Sequence, residues 1–231
     1  MKKLVAVLML FTLAFSLVSC GAVNPNAKSE GTMTHAEYAA AEIDANVVIE
    51  GFVQGKQSWW NNKGTFYLQD GTGAYFVYEL ACTEEEYNKM TVGTKLKITG
   101  VKAEWAGEVE IIDATFEILE DTWVAEATDL TSIIANEEEL IKYQNMVVKF
   151  KEMTVKSVSY KNNQSGDDIY VTLTKDGKDY SFCVEAYLTD STTEVYTTVG
   201  TLTEGDVINV EGFLYWYNGV DTHITKITKV G

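Results

Sequence analysis

Residues 67–78 read Tyr-Leu-Gln-Asp-Gly-Thr-Gly-Ala-Tyr-Phe-Val-Tyr, in which two runs of apolar and aromatic residues flank an Asp-Gly-Thr-Gly turn. This arrangement is typical of a β-hairpin. Before it stands Asn-Val-Val-Ile-Glu-Gly at 46–51, and after it Gly-Thr-Lys-Leu-Lys-Ile-Thr-Gly at 93–100. Related runs return later in the chain, at 145–150, 169–173 and 205–212. Two copies of one small β module explain this repetition most simply.

The first copy predicts five strands and two short helices. Thr34 and Glu37 form a capping-box pattern, which predicts a short helix ahead of the first strand. Thr83 is followed by three glutamates, and this predicts a second helix that ends near Met90. The strands are predicted at Val47–Val53, Gly64–Gln69, Ala74–Leu80, Lys95–Lys102 and Glu108–Leu119.

The second copy repeats this order. A helix is predicted from the Asn136 cap to Tyr143, and the first strand starts near Met146. Further strands are predicted at 169–173, 179–185, 207–217 and 221–229. Five strands with a helix between the third and the fourth is the order of an OB-fold barrel. We therefore predict a mainly β protein with two tandem five-stranded OB-fold barrels and short helices, at residues 34–120 and 121–231.

The block at 67–73, with the Val-x-Ile-Glu-Gly strand before it and the Gly-Thr-Lys-Leu-Lys-Ile-Thr-Gly strand after it, resembles a known family. It is similar to the bacterial OB-fold domains found in exported lipoproteins and appended to some extracellular nucleases. The resemblance covers most of 44–118. It is weaker over 145–230, where Gln69 and the Asp-Gly-Thr-Gly turn have no counterpart. The resemblance implies an OB-fold and a general association with oligonucleotide or oligosaccharide binding, and it implies no catalytic residues.

The N-terminus has the pattern of an export signal. A basic start precedes the apolar run Leu4–Val18, which is too short for a membrane span of ~20 residues. The Cys20-Gly21 pair then resembles the lipobox of bacterial lipoproteins, whose cysteine is lipidated and becomes the mature N-terminus. We therefore predict a signal peptide at 1–19, and a lipidated cysteine with a flexible tether at 20–33. The alternative is a plain secretory signal with an incidental cysteine.

Charge and location limit the choice of partners. As a lipoprotein, the protein would be exported and membrane-anchored, on the outer side of the cytoplasmic membrane or in the envelope. The formal net charge is −16, and loss of Lys2 and Lys3 with the signal leaves 16 lysines against 34 acids, a net charge of −18. The sequence contains no arginine, so it lacks the planar fork that binds phosphate bidentately. Such a surface repels polyanions such as nucleic acids.

No part of the sequence has the spacing of a catalytic or metal site. The two histidines, His35 and His223, fall at non-equivalent places in the repeat. No Ser-His-Asp order, Cys-His pair, phosphate loop or metal-ligand spacing stands out. The acidic runs at 84–86 and 137–139 lie in the first turns of predicted helices, where the helix dipole favours negative charge. We therefore expect a binding protein rather than an enzyme, with no catalytic residue, metal or cofactor.

Aromatic residues in the loops form a candidate ligand site. OB-folds commonly bind through the face of strands two and three and through the loops that join strands one to two and four to five. In the first module these positions hold Trp59, Trp60, Asn61, Lys63, Tyr67 and Trp105. Tyr67 is assigned to the open face of its strand because Phe66 and Leu68 alternate toward the core, and the three indoles are expected to rim one cleft. In the second module, Tyr215 and Tyr217 share one face of the final hairpin.

Two binding functions and an unrecognised enzyme remain. Exposed aromatic side chains beside asparagine suit an extended polymer, either an oligosaccharide or a single-stranded nucleic acid. Affinity for nucleic acid depends on clustered cations, and the acidic composition weighs against it. We predict a non-enzymatic cell-envelope lipoprotein whose tandem OB-folds bind such a polymer. The alternatives are an envelope-assembly lipoprotein that contacts another envelope protein through aromatic anchors, and a packing role in which the tryptophans cover the barrel end.

Overall fold

The structure is a computed structural model and describes residues 23–230. The predicted signal peptide and Cys20 lie outside the described residues. The α-helices of the described range are α1 His35–Ala40, α2 Glu84–Lys89, α3 Glu137–Leu140 and α4 Glu194–Val199, and short 3-10 helices lie at Thr131–Ile133, Ile141–Tyr143 and Lys161–Asn163. Its strands are β1 Asn46–Lys56, β2 Lys63–Gln69, β3 Ala74–Ala81, β4 Thr94–Trp105, β5 Glu108–Thr122, β6 Thr128–Asp129, β7 Val147–Tyr160, β8 Ile169–Lys175, β9 Lys178–Val184, β10 Val207–Phe213 and β11 Thr222–Lys229. Within residues 23–230, no helix is long and apolar enough to cross a bilayer.

Strands β1 to β5 form a closed barrel in the order β1-β2-β3-β5-β4, which we call the first barrel. Its neighbouring strands are antiparallel except for β3 and β5, which pair in parallel. Helix α2 connects β3 to β4, as the capping pattern at Thr83 predicts. Phe66 and Leu68 point into the barrel and are buried with Ile98 in its core. The five-stranded barrel predicted for the first half of the chain is therefore confirmed.

Strands β6 to β11 form a second sheet in the order β10-β11-β9-β8-β7-β6, and β10 also pairs with β7. Strands β9 and β11 pair in parallel, as β3 and β5 do in the first barrel. They pair only at Phe182–Thr222 and Cys183–His223. The second sheet has its own core, which includes Phe150, Val155, Leu173, Ile208 and Trp216. Helix α3 precedes β7, and α4 lies between β9 and β10. The chain is mainly β, as predicted.

The final hairpin differs from the prediction. Strand β10 ends at Phe213 rather than at Tyr217, because the Tyr215 N–H donates to the Phe213 carbonyl and closes a tight turn. The chain then rejoins as an isolated bridge between Trp216 and Val220. As a result Trp216 is buried in the core while Tyr217 lies exposed at the tip of the hairpin.

Residues 24–33, which the sequence predicts to be a flexible tether, lie against the first barrel. Lys28 Nζ forms an ion pair with Asp70 at 2.6 Å and donates to the carbonyl oxygen of Glu50. Ser29 donates from its backbone N–H and its hydroxyl to the Glu50 carboxylate. Asp70 and Glu50 are buried, and a buried carboxylate needs a charged or hydrogen-bonding partner. We call residues 24–33 the N-terminal strap.

Candidate ligand-binding site

The second sheet covers the face of β2 that the sequence assigns to ligand binding. Tyr67 is buried, and its ring stacks on Phe213 with centroids 4.0 Å apart and an interplanar angle of 6°. The Tyr67 hydroxyl lies 2.9 Å from His223 Nδ1. On the same face, Gln69 Oε1 accepts a hydrogen bond from the backbone N–H of Val147. Tyr67 is therefore not the open platform that we expected, because strand alternation predicts which face a residue occupies but not what packs on it.

Tyr215 takes part in the same contact between the two halves. Its ring stacks on His223 with centroids 4.3 Å apart, and it meets Phe76 of β3 edge-on at 5.5 Å. Burial lowers the pKa of His223 to about 4, so its imidazole is neutral at pH 7. The rings of His223 and Tyr215 therefore pack in the contact between the two halves of the chain.

The loop between β1 and β2 presents only one of its two tryptophans. Asn61 and Asn62 adopt left-handed φ values of 50° and 60°, as a two-residue type I′ turn requires. This turn leaves the Trp60 side chain 80% exposed. Trp59 instead packs against the barrel core and donates from Nε1 to the carbonyl oxygen of Cys82. Of this pair, only Trp60 is available to a partner.

The three indoles do not rim one cleft. Lys63, beside Trp60, forms an ion pair with Glu79 and pairs across the sheet with Ala81 at the C-terminal end of β3. Strand β5 pairs with β3 at Phe76. The hairpin between β4 and β5, which contains Trp105, lies beyond the N-terminal end of β3. Five strand residues, about 17 Å, separate Ala81 from Phe76. The Trp60 loop and the Trp105 hairpin therefore belong to different surfaces.

Trp105 and Tyr217 come together although they belong to different halves of the chain. Trp105 ends β4, and Tyr217 lies in the turn between β10 and β11. Their ring centroids are 5.2 Å apart, and the two side chains are 55% and 51% exposed. The Asn218 N–H donates to the Ala106 carbonyl at 2.7 Å and joins the two turns. We call Trp105 and Tyr217 the aromatic platform.

An open groove of about 640 Å³ lies along the second sheet and reaches Tyr217. It exists because β9 pairs with β11 only over two residues near its end, so the first half of β9 has β8 as its sole strand neighbour within the described range. Outward-facing residues of β8 and β9 line the groove, among them Tyr170, Thr172 and Ser181. Tyr170 is 45% exposed, which adds a third accessible aromatic ring.

Sequence reasoning missed the three strand residues of this groove. The signal was present, because Ile169, Val171 and Leu173 alternate as buried residues of β8. That alternation assigns Tyr170 and Thr172 to the outer face. It could not show that this outer face stays open while the corresponding face of β2 is covered.

The groove is acidic and rich in hydrogen-bonding groups. Glu137, Asp179 and Asp221 line it together with one lysine, Lys178. Burial, with a smaller contribution from the charge of Asp168, raises the pKa of Asp221 to about 6. Asp221 is therefore mostly ionised at pH 7 and is available as a hydrogen-bond acceptor. Among residues 23–230, no group of three or more His, Cys, Asp or Glu side chains is placed to hold a metal ion.

Comparisons with known proteins add distant structural likenesses. No family model matches the sequence, and no curated protein matches it. The asparaginyl-tRNA synthetase of Pyrococcus horikoshii is 15% identical, with a TM-score of 0.30 over 37% of this chain and 19% of its own. The Stn1–Ten1 complex of S. pombe is 21% identical, with a TM-score of 0.29 over 33% and 59%. A murine DNA-binding protein bound to double-stranded DNA is 13% identical, with a TM-score of 0.36 over 80% and 96%. The chain thus covers less than two thirds of the first two structures.

Proposed function

We propose that this chain is a non-enzymatic, lipid-anchored envelope protein that binds an extended neutral oligosaccharide in the groove of the second sheet. The observation behind it is that Tyr170 and Tyr217 offer exposed rings in a groove lined by hydroxyl and carboxylate groups, with Trp105 packed against Tyr217. The equivalent face of the first barrel is buried against the second sheet and offers no such surface.

The proposal includes a second OB-fold barrel formed by β7 to β11. Its support is the pattern of pairings: β7 with β8, β8 with β9, β9 with β11, β11 with β10, and β10 with β7. This is the order in which β1 to β5 close the first barrel. The groove then falls on strands two and three and the last hairpin turn, where OB-folds bind polymers.

The chemistry of the groove favours a neutral sugar over a nucleic acid. Aromatic rings accept the apolar face of a sugar ring, and Thr172, Ser181 and Asp221 offer partners for its hydroxyls. A nucleic acid would bring phosphates to a groove with three acids and one lysine, in a protein of net charge −16 that has no arginine. Of the three acids, only Asp179 is paired with a further lysine within residues 23–230, namely Lys156. The counterion release that drives nucleic-acid binding requires clustered cations.

Loss of the Tyr217 ring is expected to weaken sugar binding. Tyr217→Ala removes half of the aromatic platform from an exposed position, so we expect about tenfold lower affinity, or ~1.4 kcal/mol, at unchanged stability. Tryptophan emission titrated with a series of neutral oligosaccharides measures this, because Trp105 contacts Tyr217. Trp60→Ala is the matched control, since it removes an exposed aromatic residue outside the groove and should leave affinity unchanged.

The same titration with single-stranded DNA separates the polymer classes. Sugar binding should hardly change with salt, whereas DNA binding should weaken steeply as salt rises. Steeply salt-dependent DNA binding would replace the sugar with a nucleic acid. If neither polymer perturbs the emission, polymer binding is abandoned in favour of contact with an envelope protein, for which the exposed Trp60 ring is a suitable anchor.

Lipidation at Cys20 is expected to be the reason for membrane association. Cys20→Ser should move the protein from the membrane fraction to the soluble fraction, because acyl chains contribute ~0.8 kcal/mol per buried CH₂. Cys82→Ser is the control, since this cysteine is buried in the first barrel and should not affect localisation. Membrane retention of the Cys20→Ser variant would show that the globular part, not a lipid, binds the membrane.

A further inference from the structure

Glu108 joins the two halves of the chain directly beneath the aromatic platform. It begins β5 and is fully buried. Glu108 Oε2 accepts from the backbone N–H of Trp216 at 3.0 Å and from Gln144 Nε2 at 3.3 Å. Glu108 Oε1 lies 2.5 Å from Asn145 Nδ2. One carboxyl group of the first barrel thus contacts three residues from the second half of the chain.

The backbone around Glu108 is packed against the turn that carries Tyr217. Gln144 Nε2 also donates to the Gly107 carbonyl at 2.9 Å. Gly107 has a left-handed φ of 89°, and a Cβ atom there would stand 3.1 Å from the Trp216 ring. With the bond from Asn218 to Ala106, these contacts set the distance between the hairpins that hold Trp105 and Tyr217.

Within residues 23–230, no cation is placed to offset a negative charge on Glu108. The titratable groups that face Glu108 are Tyr38 of α1, Tyr67 of β2, Tyr215 of the facing turn and Glu110 of β5. Burial raises the pKa of Glu108 to about 8, although hydrogen bonds from Asn145 and Trp216 favour the charged form and partly oppose the rise. Glu108 is therefore mainly protonated at neutral pH.

Asn145 can accommodate the proton of a neutral Glu108. The Asn145 Oδ1 atom is buried and has no hydrogen-bond partner among the described residues. A separation of 2.5 Å suits an O–H···O hydrogen bond better than an N–H···O bond. Turning the Asn145 amide by half a rotation places Oδ1 where it accepts the Glu108 proton, at the cost of the long 3.5 Å contact from Asn145 Nδ2 to the Val109 carbonyl oxygen.

We propose that Glu108 is a positioning residue that, in its neutral form, holds the two hairpins together so that Trp105 and Tyr217 form one ligand platform, and that its ionisation separates them. This inference rests on the proposed function for its ligand. Because the group is an acid whose pKa is raised from 4.5 in the joined state, the stabilisation of the junction is complete below pH 4.5. It declines as pH rises toward 8 and is lost above that value.

The test compares oligosaccharide affinity at two pH values. Between about pH 6 and about pH 9, we expect the wild type to lose at least about tenfold in affinity, while Glu108→Gln changes by less than about twofold. Glu104→Gln removes an exposed charge next to Trp105 and should keep the wild-type decline. An unchanged pH profile in Glu108→Gln would overturn the inference.

A second readout needs no ligand and separates this inference from the proposed function. Subtracting the tryptophan emission of Trp105→Phe from that of the wild type isolates the emission of Trp105. This emission should change with pH over the same range. In the Glu108→Gln background, the same subtraction should show no change with pH. If no sugar binds but this change is seen, the proposed ligand is wrong and the role of Glu108 stands. Carboxyl ¹³C NMR follows the titration of Glu108 directly in the wild type, so this measurement does not depend on a variant that folds. A Glu108 pKa near 4.5, the value for an exposed glutamate, would overturn the inference.

Discussion

Phe213→Ala should lower the free energy of unfolding by about 3–5 kcal/mol, the usual cost of removing a buried aromatic ring. The Phe213 ring is almost fully buried and stacks on Tyr67 of the other half of the chain. It also fills the space above Gly55, where a Cβ atom would come within 2.7 Å of it. Because the ring packs on both halves, its loss should destabilise them together. Urea denaturation followed by circular dichroism measures the change.

A double-mutant cycle shows whether the stacked pair is the origin of this loss. Combined with Tyr67→Ala, the cycle should give a coupling of about 0.5–1.5 kcal/mol, as expected for paired aromatic rings. Tyr217→Ala, an exposed aromatic substitution in the same hairpin, should cost less than about 0.5 kcal/mol. If the wild type unfolds in two separate transitions, and Phe213→Ala leaves the transition of the first barrel unchanged, this contact does not stabilise the two halves together.

Asp70→Ala should cost a similar amount, about 3–5 kcal/mol, because it breaks a buried ion pair from one side. Asp70 accepts hydrogen bonds from the Thr72 and Gly73 backbone N–H groups and from the Tyr75 hydroxyl, as well as pairing with Lys28. Its loss leaves the Lys28 ammonium group buried without a counter-charge. We therefore expect the N-terminal strap to detach, which hydrogen exchange at Ser29 and Met33 would report.

Asp190→Ala is the matched control for Asp70→Ala. Asp190 accepts hydrogen bonds from the N–H and the hydroxyl of Thr192, as Asp70 does from Thr72, but it lies in an exposed turn and has no lysine partner within residues 23–230. Its loss should cost no more than about 1 kcal/mol. Equal effects of the two substitutions would show that the turn, and not the strap, explains the stability.

Acid unfolding provides a second check on Asp70. Burial alone would raise the pKa of its carboxyl, but Lys28 and Thr72 hold it below the usual 3.8. The stabilisation from the charged form is therefore present above pH 3.8 and is lost as pH falls below it. In Asp70→Ala, the fall in stability over this acid range should become shallower than in the wild type.

Local patterns in the sequence predict the elements of the fold well. The Thr34 and Thr83 capping boxes both form, and each helix starts one residue after its threonine. Alternation places Phe66 and Leu68 in the core of the first barrel. These features depend on residues within one or two turns or strands, so a short window of sequence contains the information.

The site depends on contacts between distant parts of the chain, which local patterns do not contain. Tyr67 and Phe213 stack across a separation that no periodicity links. The position of the N-terminal strap also depends on a distant contact, because Lys28 and Asp70 are brought together only when the barrel folds. Trp105 and Tyr217 were each candidates from the sequence, but their meeting requires the packing of one half on the other. Exposed aromatic residues could be listed from sequence, whereas their grouping into surfaces could not.

Amide chemical shifts recorded with and without a neutral oligosaccharide test the location of the proposed site most directly. We expect the shifted signals to cluster at Thr172, Ser181 and Asn218, with the Trp105 indole N–H among them. Signals around the Trp60 turn should stay in place. Shifts confined to the Trp60 turn, with none in the groove of the second sheet, would show that the groove is not the binding site.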